Sequence, residues 1–329
     1  MRAIWYDHKG PAHEVLHVSE MPEPKPGPGD VLVRIRASGV NPSDTKGRSG
    51  WAGTTKMAFP RVIPHQDGAG VIEAVGDGVP AHRVGEHVWI YEGQWQRPFG
   101  TAAERIALPA ARVVRMPATV SFTEGACLGI PVMTAHRAVF ADGPVKGKTV
   151  LVTGGAGAVG HYAIQLAKWG GATVITTISS DGKAAVARTA HPDHIVNYRT
   201  EDAAARIMTL TGGAGVDRIV EVAFGANLPL AQQVLRTNGV IATYASDAEM
   251  EPRVPFRPFL ARDATVRFVL VYVMPVEAKE AAIAAITHLL EEGLLKHHVY
   301  REFSMNEAAQ AHEAIETGQA LGNVVVRIE

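Results

Sequence analysis

Residues 149–160, TVLVTGGAGAVG, run a strand-like apolar stretch straight into a glycine-rich turn. Gly155, Gly157 and Gly160 stand at the spacing G-x-G-x-x-G, behind Val150, Leu151 and Val152. A helical pattern follows, with Val159, Ala163, Leu166 and Ala167 on one face. In that setting the first glycine permits a tight turn and the second lets backbone N–H groups approach a pyrophosphate. The third lets the helix pack close to the strand. The helix N-terminus, with roughly half a positive charge, faces the same phosphates. Gly155, Gly157, Ala158, Val159 and Gly160 are therefore expected to hold a dinucleotide.

Which dinucleotide is decided at the end of the next strand. An NAD site normally carries Asp or Glu there, about 20 residues after the loop, for the ribose 2′-hydroxyl. The matching residue is Ile178, followed by Ser179, Ser180 and Lys183, while the third strand ends in Tyr198-Arg199. Hydroxyls and a cation suit a 2′-phosphate. A carboxylate ~4 Å from it would cost about 4 kcal/mol per unit charge at an effective dielectric near 20. Asp181 dissents, unless it points to solvent or caps the helix. The expected cofactor is NADPH, with Ser179, Ser180, Lys183 and Tyr198 around its phosphate.

Such a loop needs a parallel sheet behind it, and from about residue 123 helices alternate with apolar strands. The strands are read at 149–153, 173–178, 194–198, 215–223, 239–245 and 265–273. The first 120 residues differ. Short strands broken by Gly and Pro, such as HEVLHVSEMP, DVLVRIRASGV and GAGVIEAVG, suggest a β-barrel-like module. Two amphipathic helices follow residue 275, and the terminal NVVVRIE reads as a strand that returns to the first module. With 329 residues the chain is expected to form two domains, because single cores stop growing near ~250–300 residues. A net charge of −1, without a basic stripe, argues against nucleic acid as a partner. No apolar run approaches the ~18 residues of a membrane span, and the start lacks the apolar core of a signal peptide. The one cysteine, Cys127, leaves no intrachain disulfide and agrees with a cytoplasmic location.

GVNPSDTKGRSG (39–50), FPRVIPHQDGAGVIEAVG (59–76), GACLGIPVMTAHRA (125–138), the glycine loop, IVNYRTED (195–202) and AAQAHEAIETG (308–318) stand in one order. Together they cover nearly the whole chain and resemble the medium-chain dehydrogenase/reductase superfamily. The likeness is closest to its zinc-free, zeta-crystallin-like NADPH:quinone reductases. The resemblance implies an α/β chain with a GroES-like β-barrel catalytic domain (1–124 and 268–329) and a doubly wound Rossmann domain (125–267). It also implies an active-site cleft between them and a homodimer or homotetramer. Asn41 is expected to be catalytic and to contact the nicotinamide ribose or the acceptor oxygen. Thr134, Tyr244, Ala245, Ser246, Val269, Val271 and Asn323 fall at family cofactor positions.

Zinc-using relatives place Cys, His and Cys where this chain has Asn41, Gln66 and Ile130. A catalytic zinc wants three N, S or O side-chain ligands and an open position, so no metal is expected. The family's aromatic pocket wall is replaced by Lys46, and Trp51 and Tyr91 are candidates to supply the missing aromatic surface. Trp95 and Arg97 fall close to the same region, and the usual Gly-Lys near the C-terminus is Gly322-Asn323. Hydride transfer to a quinone is the leading reading. Reduction of an activated C=C bond in an enal or enone is the second, and a non-catalytic crystallin-like or RNA-binding protein the third.

Overall fold

The computed structural model describes residues 1–328. Its N-terminal elements are β1 (Arg2–Trp5), α1 (Ala12–Val15), β2 (His17–Glu20), β3 (Asp30–Val40), α2 (Pro42–Ser49), β4 (Asp67–Val75), β5 (His87–Ile90), β6 (Arg105–Pro109) and β7 (Val113–Arg115). Next come α3 (Phe122–Gly125), α4 (Gly129–Phe140), β8 (Thr149–Thr153), α5 (Ala158–Trp169), β9 (Thr173–Ile178), α6 (Asp181–Arg188), β10 (His194–Asn197) and α7 (Ala203–Leu210). The rest are β11 (Val216–Glu221), α8 (Phe224–Val234), β12 (Leu235–Thr243), α9 (Phe256–Leu260), β13 (Thr265–Phe268), α10 (Val276–Glu291), β14 (Val299–Ser304), α11 (Ala308–Glu316) and β15 (Asn323–Arg327). They group into two units, Met1–Pro131 with Ile283–Glu329, and Val132–Ala282.

In the first unit β3 is the hub. Its alternation buries Val31, Val33 and Ile35 and leaves Leu32, Arg34 and Arg36 half-buried. One edge of β3 pairs with β4; the other pairs with β6 along its first half and with β15 along its second. All three pairings are antiparallel, within the order β14-β15-β3-β4-β5-β7. Two register shifts between β3 and β4 bend the ladder, as a closing sheet requires. Val31, Val33, Ile35, Ile72, Ile90, Ile106, Leu108, Val324 and Val326 fill the core. From Ala37 to Asn41 the alternation stops and every residue is buried. A Cβ at Gly39 would lie 2.1 Å from the Ala126 carbonyl oxygen, so only glycine lets the end of β3 pass this close to the segment after α3.

The terminal strand returns as expected, Val324–Arg327 pairing with Val40–Ala37. Two features differ from the sequence reading. HEVLHVSEMP opens with a helical turn, α1, before its strand. The segment VYREFS forms β14, an edge strand parallel to β15 whose charged residues hide any strand periodicity.

The second unit is a six-stranded, wholly parallel sheet in the order β10-β9-β8-β11-β12-β13. This is the doubly wound arrangement, with its switch point between β8 and β11. Helices cover both faces, which is why Val150, Leu151, Val152, Val174, Ile175 and Val220 are all fully buried. The stretch 265–273 is a strand only to Phe268, because its neighbour β12 ends at Thr243. Val271–Val273 then forms a single 3-10 turn. Among the described residues no helix is long and apolar enough to cross a membrane.

A chain ending at Gly322 would leave β3 without its partner along residues 37–40. Hydrogen exchange should then show the β3 amides between Ala37 and Val40 losing most of their protection. Full-length protection in the truncated chain would contradict the hub role of β3.

Candidate active site

The glycine loop joins β8 to α5 with Gly157 as the N-cap. The left-handed turn falls at Gly154 (φ 68°), one residue before the glycine to which the motif assigns it. Gly155 has another task. A Cβ there would stand 2.1 Å from Thr176 Oγ1 on β9, whose hydroxyl donates to the Val152 carbonyl. At Gly160 a Cβ would lie 2.4 Å from the Gly154 carbonyl oxygen, so the first turn of α5 closes on the loop. Gly157 is exposed, and a Cβ added there meets nothing nearer than 3.4 Å. This is the open face of the cradle, at the start of a 12-residue helix. The N–H groups of Ala158, Val159 and Gly160 have no carbonyl one helical turn earlier to bond. Bare backbone plus the helix dipole fits a pyrophosphate.

At the ribose end Ile178 is buried against Ala184, Ala187 and Ile195. Asp181 is exposed and is not the cap; Ser180 Oγ accepts from the Lys183 N–H at 3.4 Å. Lys183 is half-buried in the first turn of α6, and Ser179 is half-buried at the end of β9. Tyr198 is half exposed, and its N–H donates to the Ile178 carbonyl at 3.2 Å, which ties it to the end of β9. Ser179, Ser180, Lys183 and Tyr198 therefore gather around one strand end, with exposed Arg199 following.

Elsewhere in this unit Thr134 is buried on α4. Tyr244, Ala245 and Ser246 follow β12 and are fastened to the start of α8. Ala245 O accepts from the Phe224 N–H and Ser246 Oγ from the Gly225 N–H, both at 3.0 Å. Val269 and Val271 do not lie on the last strand. Val269 donates to the Thr243 carbonyl at 2.7 Å just past its end, and Val271 sits in the 3-10 turn. Sequence reasoning missed Glu221, buried at the end of β11 beside the switch point. It accepts from Thr153 Oγ1 (2.9 Å), Ala223 N (2.6 Å) and Asn227 Nδ2 (2.8 Å). A carboxylate inside the apolar run RIVEVA was the available signal.

In the first unit Asn41 ends β3 as the N-cap of α2 and is 5% exposed. Its Nδ2 donates to Asp67 Oδ2 at 2.8 Å and its N–H to Asp44 Oδ2 at 2.8 Å. Burial pushes the Asp44 carboxyl up to about 7, against hydrogen bonds from Asn41 and Gln66. Burial also raises Asp67, opposed by Asn41 and Ile130. Gln66 is locked in a reciprocal amide pair, donating to Gln94 Oε1 at 3.0 Å and accepting the Gln94 N–H at 3.1 Å. Ile130 contributes only its N–H, to both oxygens of Asp67.

His65, next in line, is fully buried at φ 78°. Thr101 Oγ1 donates to the Asp67 carbonyl, so Ser38 must donate to Thr101, at 2.8 Å. His65 then donates from Nδ1 to Ser38 (2.8 Å), and its bare Nε2 takes the N–H of His312 (2.9 Å). Both rings are thus neutral, and burial holds His65 down to about 3 and His312 well below its ordinary value.

The remaining candidates separate. Lys46 Nζ lies 5.0 Å from the Trp51 ring centre, and Trp51 is exposed. Tyr91 is instead buried, its hydroxyl donating to the Ala111 carbonyl at 2.8 Å. Asn323 is buried at the start of β15, donating from Nδ2 to the His298 carbonyl at 3.0 Å. Arg97 donates to the carbonyls of Gly93 and Ala107, so it ties its loop to β6. Cys127 is buried with its thiol pushed well up.

Residues 27–118 match the alcohol dehydrogenase GroES-like domain family and residues 158–288 the zinc-binding dehydrogenase family. Rat quinone oxidoreductase is 33% identical over 96% of this chain and 94% of its own length. The chain belongs to the quinone oxidoreductase branch of the medium-chain dehydrogenase/reductase superfamily. A 2-haloacrylate reductase from Burkholderia is 30% identical over 99% of this chain and 98% of its own. Among solved structures, an NAD-dependent alcohol dehydrogenase (28% identical, TM-score 0.89) covers 100% of both chains. A mycobacterial protein complexed with NADPH (27% identical, TM-score 0.87) covers 99% of this chain and 100% of its own.

Gly157→Asp should fold with an unchanged melting temperature yet lose NADPH binding, since the residue has room and an ordinary φ of −81°. Gly160→Val should instead destabilise the second unit. Calorimetry that found NADPH affinity intact in Gly157→Asp would displace the phosphate from this loop.

The buried acids and histidines give opposite slopes with pH. The histidines, depressed on folding, contribute fully above pH ~6.5 and lose that contribution as pH falls toward 3. Asp44, raised on folding, contributes below pH ~4 and loses its contribution as pH rises through 7. In urea unfolding, Asp44→Asn should gain on the wild type as pH rises from about 5 to about 8. A difference that stays flat across that range would contradict the burial argument.

Proposed function

We propose that this chain reduces quinones with NADPH and needs no catalytic metal. The observation that carries the reading is the fate of the three family ligand positions. Asn41 is bonded to Asp67, Gln66 is paired with Gln94, and Ile130 offers only a main-chain N–H. A neutral amide cluster of this kind is a poor donor set for zinc. Bound NADPH supplies a hydride, which a quinone accepts more readily than a simple carbonyl does because the charge spreads over the ring.

The chain's own residues bind and orient. The cradle around Gly157 takes the pyrophosphate, and Lys183, Ser179, Ser180 and Tyr198 take the 2′-phosphate. Tyr244, Ala245, Ser246, Val269 and Val271 line the nicotinamide half, with Thr134, and Asn41 meets the nicotinamide ribose or the acceptor. The names of the rat relative and the mycobacterial complex support quinone and NADPH respectively. Asn323 serves the reading only as a brace, since its amide is held by His298.

A second reading, reduction of an activated C=C bond, draws on two observations. One is the 2-haloacrylate reductase relative; the other is the cation of Lys46 standing over Trp51, where a carboxylate-bearing alkene would find a partner. The reading carries a cytoplasmic homodimer or homotetramer with it. Exposed Phe268, Leu270 and Val273 beside the free edge of β13 support self-association.

The test is NADPH and NADH oxidation with a panel of quinones and of activated alkenes. Quinones should give the highest kcat/KM, with NADPH preferred. Lys183→Ala should cost NADPH about tenfold and leave NADH unchanged, the worth of one charge-assisted hydrogen bond. Equal losses for both cofactors would refute the phosphate assignment. Activity confined to alkenes would replace the quinone by the second reading.

A further inference from the structure

Glu221 ends β11 beside the switch point and is 1% exposed. The backbone pairing of β8 with β11 stops at Val152 and Val220, one residue short of both strand ends. Beyond that point side chains carry the link. Thr153 Oγ1 accepts the Val222 N–H at 3.0 Å and donates to Glu221 Oε1 at 2.9 Å. The same carboxyl oxygen accepts the Ala223 N–H at 2.6 Å and Asn227 Nδ2 at 2.8 Å, reaching the first turn of α8. Burial raises the Glu221 carboxyl against these hydrogen bonds. Oε1 accepts all three in either protonation state, because a proton on the group lies on Oε2.

Thr153 leads directly into Gly154, the left-handed start of the glycine loop, and a Cβ on Gly154 would lie 3.0 Å from Val222 Cγ1. The turn after β11 is also tied to the segment after β12, through Phe224 N–H to Ala245 O and Gly225 N–H to Ser246 Oγ. The protein itself thus takes the N–H groups of Ala223, Phe224 and Gly225 at the start of α8, whereas those of Ala158, Val159 and Gly160 on α5 have no carbonyl one turn earlier. We infer that Glu221 is a positioning residue for the cofactor. It braces the Thr153–Gly154 end of the loop against the turn after β11, and so sets the opening through which a pyrophosphate reaches the N–H groups of α5. All of these residues belong to the second unit. The inference rests on the proposed role of the glycine loop as the pyrophosphate cradle.

Two pairs of variants in the full chain test the brace. Glu221→Leu fills the space without an acceptor, and the Thr153 hydroxyl can then turn only to the Val220 carbonyl, 3.3 Å away. Glu221→Gln keeps the accepting oxygen. Thr153→Val is nearly isosteric and cuts the link from the β8 side, while Thr153→Ser restores the hydroxyl. Dissociation constants are measured by calorimetry for NADPH and for adenosine 2′-phosphate, with melting temperatures alongside. Adenosine 2′-phosphate carries the ribose phosphate but no pyrophosphate, so it probes the end of β9 without the cradle.

Glu221→Leu and Thr153→Val should each weaken NADPH about tenfold, the worth of one buried hydrogen bond, and leave adenosine 2′-phosphate unchanged. Glu221→Gln and Thr153→Ser should recover most of the NADPH affinity. If Glu221→Leu does not fold, the Thr153 pair decides alone. Wild-type NADPH affinity in Thr153→Val would overturn the inference. So would an equal loss of both ligands, which would make the brace a general support of the unit. Gly157→Asp separates the two levels. If it keeps NADPH affinity, the cradle itself is misplaced. If it loses that affinity while Glu221→Leu and Thr153→Val do not, only the positioning by Glu221 fails.

Discussion

A single buried carboxylate organises the first unit of this reductase. Asp67 starts β4, bonds the last side chain before α2 and receives the N–H of the second residue of α4. A carboxyl group taken out of water costs several kcal/mol unless hydrogen-bond partners replace the water, and burial already pushes this one toward its protonated form. Satisfying that one group forces β3, β4 and the start of α4 to one point, and the glycines follow. Gly39 and Gly129 are both places where a methyl group would collide with the Asp67 region or its neighbours. The chain of Thr101, Ser38, His65 and His312 extends the constraint with an unambiguous order of donors.

The second unit solves a different problem by the same means. Its loop must bring backbone N–H groups to an anion, and three glycines divide the work. Gly155 and Gly160 remove side chains so that loop, sheet and helix can close on one another, which leaves Gly157 on the open side. The open face therefore comes from tight packing elsewhere. Glu221 completes the floor at the switch point, tying β8 to β11 through Thr153.

Much of this was legible in the sequence because the signals were periodic or compositional. Parallel strands buried on both faces read as apolar runs, and β3 reads as an alternation. The glycine spacing marks the cradle, although the left-handed turn moved to Gly154 because Gly155 is taken up by its contact with Thr176. What could not be read depends on partners distant in the chain. β14 is polar and exists because β15 lies beside it, and β13 stops at Phe268 because β12 stops first. Asn41, Gln66 and Ile130 could be recognised as unfit for zinc. That Gln94 and Asp67 occupy them could not, since those pairings join residues 26 to 63 positions apart. His65 adjoins Asp67 in the chain, yet its ring turns to Ser38 and His312, which no local pattern signals.

The most direct measurement is a single turnover in the stopped flow. Enzyme dialysed exhaustively against chelator and loaded with one equivalent of NADPH is mixed with excess quinone. The nicotinamide absorbance should then decay fully in one phase, at the same rate before and after chelation and with no response to added zinc. Loss of the phase on chelation, with recovery on adding zinc, would contradict the account.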